Sequence, residues 1–163
     1  MHMDNTLNTE LIAQYAHLWR VFERLVNDFD DTSWICTGRK ATTPARLSFH
    51  ILKATKYYLE DKSAIEFASG KSFEINCETA NVEDLPSRQD VILCLREFAR
   101  RTEIWLADMD LASANQAFEW AGKTKLGLVL FLLKHSLYHL GELSSLLNES
   151  KNGEAEDNYV KAL

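Results

Sequence analysis

The chain has 163 residues, of which 46% are hydrophobic and 26% are charged, proportions typical of one soluble globular domain. Its formal net charge of −6 argues against binding of nucleic-acid phosphates, which requires a basic face. No apolar run reaches the length of about 18 residues that spans a bilayer, and the first residues, MHMDNTLNTE, lack the pattern of a secretory signal. We therefore expect a cytoplasmic protein without a membrane or nucleic-acid partner.

The rarer residue types indicate an all-α protein in a reducing compartment. Only two prolines and six glycines are present, and few stretches alternate between apolar and polar residues as strands do. Cys36, Cys77 and Cys94 are odd in number and widely spaced, which fits reduced thiols better than a disulfide framework or a zinc knuckle.

The first predicted helix covers Leu7 to Phe29. Apolar residues recur along it at alternating spacings of four and three, the pattern of a helix packed in a core. They are Leu11, Tyr15, Leu18, Phe22, Leu25 and Phe29. His17 falls beside this stripe, so we expect it at the surface or the rim and assign it no role in a site.

A second helix is predicted from Pro44 to about Glu60, after a polar connecting loop. Thr43 is suited to cap its N-terminus, and proline is favoured in the first helical position. His50 lies three residues after Leu47, on the face predicted to point inward. This placement makes His50 a candidate site residue.

A long connection separates the second and third predicted helices. Residues 61–86 form the longest non-periodic segment, so the two helices need not be antiparallel neighbours. Loops of this length often cover a site, and substrate-selecting residues are expected there. Helix three is predicted to begin at Ser87, with Asp90 in its first turn and an apolar stripe that reaches Met109.

The fourth predicted helix runs from Thr124 to Asn148. It follows a second connection, in which Phe118 and Trp120 are expected at the rim of a pocket. Residues 1–148 are predicted to form a single helical domain. The polar residues 149–163 are predicted to form a flexible tail, the end of which could dock on the domain.

One face of helix four carries ionisable residues where leucines would pack better. Residues spaced to share this face are Leu128, Leu132, His135, His139, Glu142 and Leu146. A second line of leucines makes the helix apolar around much of its circumference, so we expect it to be buried. Buried polar groups are costly unless they are satisfied, and a bound metal ion is one way to satisfy imidazoles.

The histidines have the spacing of metal ligands. His135 and His139 are four residues apart, so both can reach one ion, and His50 is the candidate third ligand. Three imidazoles suit zinc, nickel, iron or manganese and leave coordination positions open for water and substrate. The alternative is a trio of core histidines satisfied by backbone carbonyls, buried water or carboxylates. Glu142 is interpreted as a carboxylate that orients an imidazole from outside the ligand set.

Two short motifs resemble those of a known family. The first is FHILKATKYYLED, which contains His50, and the second is HSLYHLGEL, which contains His135 and His139. They resemble the DinB/YfiT-like family of metal-dependent four-helix proteins, in which the second motif typically reads HxxxHxGQ. By position, the family's ligand triad corresponds to these three histidines. Glu142 replaces the usual glutamine, and Ser136 stands where glutamate is frequent.

The resemblance implies a four-helix bundle with a long connection between helices two and three, one divalent metal ion on three histidines, and often a homodimer. Some relatives are thiol-dependent transferases or isomerases with low-molecular-weight thiols as cosubstrates, and in such chemistry the metal holds the thiol as a thiolate. We therefore expect a metalloenzyme that acts on a small molecule. The alternative is a non-catalytic helical-bundle module for interaction or stress responses, with an idle metal site.

Overall fold

The structure is a computed structural model that describes residues 6–36, 38, 42–60, 63–73 and 79–163. Cys77, predicted to be a reduced thiol, and the first five residues of the segment used to judge targeting lie outside these ranges. Among the described residues, no helix is both long enough and apolar enough to cross a bilayer.

The protein is mostly helical, as the sequence predicts for an all-α chain. The described residues form six α-helices, namely α1 (Thr6–Asp28), α2 (Asp31–Cys36), α3 (Pro44–Tyr58), α4 (Arg88–Ala107), α5 (Lys125–Ser150) and α6 (Asn158–Lys161). The four long helices agree with the predicted ones to within about two residues at most ends, the range within which helix ends are generally assigned.

The predicted connections contain short elements that periodicity does not reveal. The loop expected after helix one includes α2, in which Trp34 is buried and its indole N–H donates to the carbonyl of Pro86 at 2.9 Å. The long connection contains an antiparallel pair of two-residue strands, β1 (Ile65–Glu66) and β2 (Ser72–Phe73). Elements of one turn or two residues are too short for a repeating apolar pattern.

The four long helices pack in a closed ring. Helix α1 lies between α4 and α5, and α3 completes the ring by packing against α5 and α4. The largest side chains that are fully buried include Tyr15, Phe22, Phe29, Phe49, Leu95 and Leu132. All six residues of the stripe predicted for α1 are at most 5% exposed, which confirms that stripe. The ring makes α3 and α5 direct neighbours, and these helices carry the three candidate histidines.

Helix α4 begins at a capping box. The Ser87 hydroxyl oxygen accepts from the Asp90 backbone N–H at 3.1 Å, and the Asp90 carboxylate accepts from the Ser87 backbone N–H at 3.2 Å. Burial alone would raise the pKa of Asp90, but hydrogen bonds from Ser69 and Ser87 hold it below its usual range. The carboxylate therefore ties the β-strand connection to the start of α4 in its ionised form.

Ser87→Ala is expected to lower the free energy of unfolding by about 1 kcal/mol, because the first turn of α4 loses the hydroxyl that caps it. Urea denaturation of the variant beside the unaltered protein measures this loss. Ser87→Thr keeps the acceptor oxygen and serves as the matched control. An alanine variant as stable as the threonine variant would contradict the capping role.

The C-terminal residues dock on α1. The carbonyl of Tyr159 lies 2.9 Å from Nε2 of His17, and the carbonyl of Ala162 accepts from Arg20 at 2.8 Å. Asn158 is 2% exposed and donates to Asp28 at 2.8 Å. His17 is only 8% exposed, so the prediction that it lies at the surface or the rim is wrong. The docked end of the chain covers it.

The described cysteines differ in exposure. Cys36 is exposed and Cys94 is half-buried, and both are free thiols. Burial raises the pKa of the Cys94 thiol to about 11, so it is protonated at neutral pH and is a poor nucleophile.

Candidate metal centre

Helix α5 turns a different face to the core from the one that its apolar residues suggest. Its most buried stripe is Val129, Leu132, Ser136, Leu140, Leu143 and Leu147, each at most 3% exposed. His135 and His139 lie beside this stripe and are half-buried, whereas Leu130 is 41% exposed and Tyr138 is 68% exposed. The prediction that the whole helix is buried is wrong. Among the long helices only α1 and α3 pack closely against it, which leaves an outer face in water.

The structure brings the three predicted histidines together. His50 reaches from α3 towards His135 and His139 on α5, and one ring nitrogen from each residue lies within 4.8 Å of the others. The ring centroids are 5.2 Å apart for His50 and His135, 4.5 Å for His50 and His139, and 4.6 Å for His135 and His139. Their convergence on one point is the property that a shared ligand requires.

The spacing of the nitrogens fits a metal ion. Nε2 of His50 and Nε2 of His135 are 3.3 Å apart. Two nitrogen ligands of a tetrahedral zinc ion, each about 2.0–2.1 Å from the metal, also lie about 3.3 Å apart. The same distance accommodates an N–H···N hydrogen bond in which one ring donates and the other accepts, so the pair is also satisfied without metal.

Glu142 orients the third ring. Its Oε2 lies 2.7 Å from Nδ1 of His139, and a carboxylate can only accept, so Nδ1 carries the hydrogen. Nε2 of His139 is then the nitrogen with a free lone pair. The carboxylate has the position predicted for it, outside the group of three nitrogens and bound to the second nitrogen of an imidazole.

His135 is held in its neutral form. Burial, together with the positive charges that His139 and His50 would carry, lowers the pKa of His135 to about 4. Its Nδ1 is buried and has no hydrogen-bond partner among the described residues. A neutral imidazole, such as that of His135 with its Nε2 3.3 Å from Nε2 of His50, is the form that binds a divalent metal.

The stability of the metal-free protein is expected to fall between pH 6.5 and pH 4 because of His135. Between these pH values the His135 ring binds a proton in the unfolded chain, where its pKa is the ordinary 6.5. It does not bind one in the folded protein, where its pKa is about 4. The stabilisation is complete above pH 6.5 and is lost as the pH falls through 4. Since the ring is partly exposed, we expect about 1–2 kcal/mol.

Urea denaturation at neutral pH and near the acid end of this window measures the effect in metal-free protein. His135→Gln removes the titrating ring, so its stability is expected to change less with pH than that of the unaltered protein. Parallel pH dependences for the two proteins would contradict the assignment to His135.

Aromatic side chains flank the histidines, and one of them, Phe131, is not among the residues predicted from the sequence. The Phe131 ring stacks on His135, with centroids 6.3 Å apart and an interplanar angle of 16°. Phe131 precedes His135 by four residues, and this spacing on one helical face is the signal that would have identified it. Phe118 and Trp120, expected at a pocket rim, lie in contact with Tyr58, which also packs against Phe131.

Hydrogen bonds attach the long connection between α3 and α4 to both of these helices. Lys56 donates to the carbonyl of Ala64 at 2.8 Å, and Arg46 donates to the carbonyl of Ala80 at 2.8 Å. The backbone N–H of Ser69 donates to Asp90 at 3.2 Å. These contacts join the connection to α3 and α4, and its expected role in substrate selection stays a prediction.

Comparisons of the chain with family models, with curated proteins and with solved structures gave no match. The resemblance drawn from the two histidine motifs therefore stays a prediction, and the cluster of three histidines is the feature of the structure that points to a function.

Proposed function

We propose that the protein binds one divalent metal ion through His50, His135 and His139 and that it is a metalloenzyme. The observation that carries this proposal is the convergence of three imidazole nitrogens, two of them 3.3 Å apart, from two neighbouring helices. Zinc, nickel, iron and manganese all accept three imidazoles. The 3.3 Å between Nε2 of His50 and Nε2 of His135 matches two ligands of a tetrahedral zinc ion.

The proposal extends to the fold family and the reaction class. The ring of four long helices and the HxxxH motif on α5 support a DinB-like four-helix bundle, in which a homodimer is also expected. Thiol-dependent transferase or isomerase chemistry on a small molecule is the class that the motif resemblance favours. We place the protein in the cytoplasm on the strength of its free thiols.

The residues of the chain have separable tasks at such a centre. The three histidines hold the ion on one side and leave its remaining coordination positions for a ligand. Glu142 keeps the hydrogen of His139 on Nδ1, which directs Nε2 towards the centre. A bound divalent ion supplies Lewis-acid stabilisation of a thiolate at neutral pH.

Metal analysis of untagged protein tests the proposal. The protein is stripped with a chelator, loaded with zinc, dialysed and analysed for metal, and we expect one zinc ion per chain. Loading in parallel with nickel, iron(II) and manganese ranks the four candidates. Protein that retains no metal above the buffer background would refute the metal centre.

The second candidate function is a non-catalytic helical module with an idle site. The observation in its favour is that three of the ring nitrogens can have partners without metal, through the His50–His135 contact and the His139–Glu142 hydrogen bond. A screen of low-molecular-weight thiols with small electrophiles separates the two functions. Turnover that requires the loaded metal excludes the idle site, whereas bound metal without turnover across the screen favours it.

Glu142→Gln is expected to weaken zinc binding by about 10- to 100-fold, the usual effect of losing an outer carboxylate partner of a ligating histidine. The amide keeps the size of the side chain but accepts the Nδ1 hydrogen without a negative charge. Competition titration against a chromophoric chelator measures the change. Glu149→Gln, at an exposed position near the end of α5, is the matched control and should leave the affinity unchanged. Equal affinities for the two variants would contradict the orienting role.

A further inference from the structure

A cleft lies at the end of the bundle where α1 and α5 begin and α4 ends. It has a volume of about 600 Å³, within the range of about 300–1,000 Å³ that small-molecule sites occupy. The larger apolar side chains of its lining are Leu7, Met109, Leu111 and Leu126. None of the described residues that line it is a histidine, so the cleft is a different place from the proposed metal centre.

Asn8 presents a hydrogen-bond acceptor to this cleft. The residue is 9% exposed, and its Nδ2 lies 2.7 Å from the carbonyl oxygen of Leu106 and 3.0 Å from that of Met109. Carbonyl oxygens only accept, so these contacts use both amide hydrogens and identify which side-chain atom is the nitrogen. Oδ1 has no hydrogen-bond partner among the described residues and is not sealed from solvent, so it opens on the cleft that Asn8 lines. Water or a ligand that donates a hydrogen bond satisfies an acceptor in this position.

The charged side chains at the cleft are negative. Asp108 and Asp110 line it, and no lysine or arginine does so among the described residues. Asp110 accepts from the backbone N–H of Ala112 at 3.2 Å, and neither carboxylate has an ion-pair partner in the part of the chain that the structure describes. Asp108 is also the residue that ends α4, where the helix dipole adds partial negative charge. The potential in the cleft therefore favours a cation.

The start of α5 does not offset this charge with open N–H groups. The backbone N–H groups of Lys125 and Leu126 each donate at 2.9 Å to a carbonyl of the connection between α4 and α5. The backbone N–H of Gly127 donates to the Thr124 hydroxyl oxygen at 3.3 Å. A helix N-terminus binds anions through such groups when they are unpaired. An anionic ligand would therefore meet acceptor oxygens and no free backbone donor from the first three residues of α5.

We propose that this cleft binds a protonated primary amine that carries an alkyl chain. The ammonium group supplies three N–H donors and a positive charge, which suit the oxygens of Asn8 and Asp108. The alkyl chain packs against the apolar residues of the lining, and the area that it removes from water favours binding. The inference is independent of the metal centre, because the cleft contains none of the three histidines.

Isothermal titration calorimetry of the full-length protein at pH 7 tests the inference with three probes of equal chain length. Hexylamine is protonated at this pH, as lysine is, whereas hexan-1-ol is neutral and hexanoate is an anion. We expect hexylamine to bind about tenfold more tightly than hexan-1-ol, because it adds charge-assisted hydrogen bonds to the same apolar contact. Hexanoate should bind more weakly than the alcohol. The affinities should be the same with and without zinc.

Asp108→Asn keeps the shape of the side chain and removes its charge, so the preference for the amine over the alcohol is expected to fall to about two- to threefold. The control is Glu154→Gln, which makes the same change of charge at an exposed position beyond the opposite end of α5 and should keep the tenfold preference. Equal affinities for hexylamine and hexan-1-ol in the unaltered protein, or equal preferences in the two variants, would overturn the inference. Protein that binds none of the probes would also overturn it and would mean that the cleft holds another occupant, such as a second copy of the chain. None of these results bears on the metal centre.

Discussion

The His135→Ala variant is expected to bind zinc about 100- to 1,000-fold more weakly than the unaltered protein. A zinc site with four protein ligands is worth about 10–16 kcal/mol, so one ligand accounts for about 2.5–4 kcal/mol. His135 is the ring chosen for removal because its low pKa keeps it neutral at physiological pH, the form that binds a divalent metal. Competition titration with a chromophoric chelator at neutral pH measures the loss.

The matched control for this variant is His17→Ala. His17 is buried, but it lies on α1 against the docked C-terminus and is not one of the three clustered histidines. Its zinc affinity should equal that of the unaltered protein. Circular dichroism of both variants checks that the helices persist. Zinc affinity in His135→Ala equal to that in His17→Ala would contradict the proposed centre.

Phe22→Ala is expected to lower the free energy of unfolding by about 3–5 kcal/mol, the usual cost of truncating a fully buried phenylalanine. Phe22 is 0% exposed in the C-terminal half of α1, and its ring stacks on that of Trp19 with centroids 6.3 Å apart. Helix α1 packs against both α4 and α5, so a cavity there loosens two helix contacts together. Urea denaturation followed by circular dichroism measures the change.

Ile104→Ala is the control for the core variant, because Ile104 is 60% exposed on α4. Its stability should stay within about 0.5 kcal/mol of that of the unaltered protein, as for most surface substitutions. Zinc protects folded protein through mass action, so both variants are compared without metal. A loss below about 1 kcal/mol in Phe22→Ala would show that α1 is not central to the core.

The long helices follow from local sequence because each obeys one periodic rule. The stripe from Leu11 to Phe29 repeats at helical spacing and is buried along its whole length in the structure. Ser87 and Asp90 mark the start of α4 through their own hydrogen bonds, which involve only residues three apart. Features of this kind depend on residues close together in the chain, so they can be predicted without knowledge of the fold.

The structural features that could not be predicted from the sequence depend on contacts between residues far apart in the chain. Asn158 reaches Asp28 across 130 positions, and His17 reaches the carbonyl of Tyr159 across 142. Helix α6 has a single turn, too short to stand out by periodicity, and its contacts with α1 hold it in place. The sequence predicts a flexible tail whose end could dock, but composition does not record which residues that end would contact.

The sequence by itself determined that the protein is mostly helical, that His135 and His139 share a face, and that His50 points inward from another helix. The tertiary structure decided that α3 and α5 are neighbours, which alone brings the three rings within reach of one ion. It also placed Ser136, rather than the histidines, at the centre of the buried face of α5. A helix with apolar residues on most sides can face the core in several ways, and the helices packed against it select one. That choice left the histidines at the edge of the core, where a ligand can approach them.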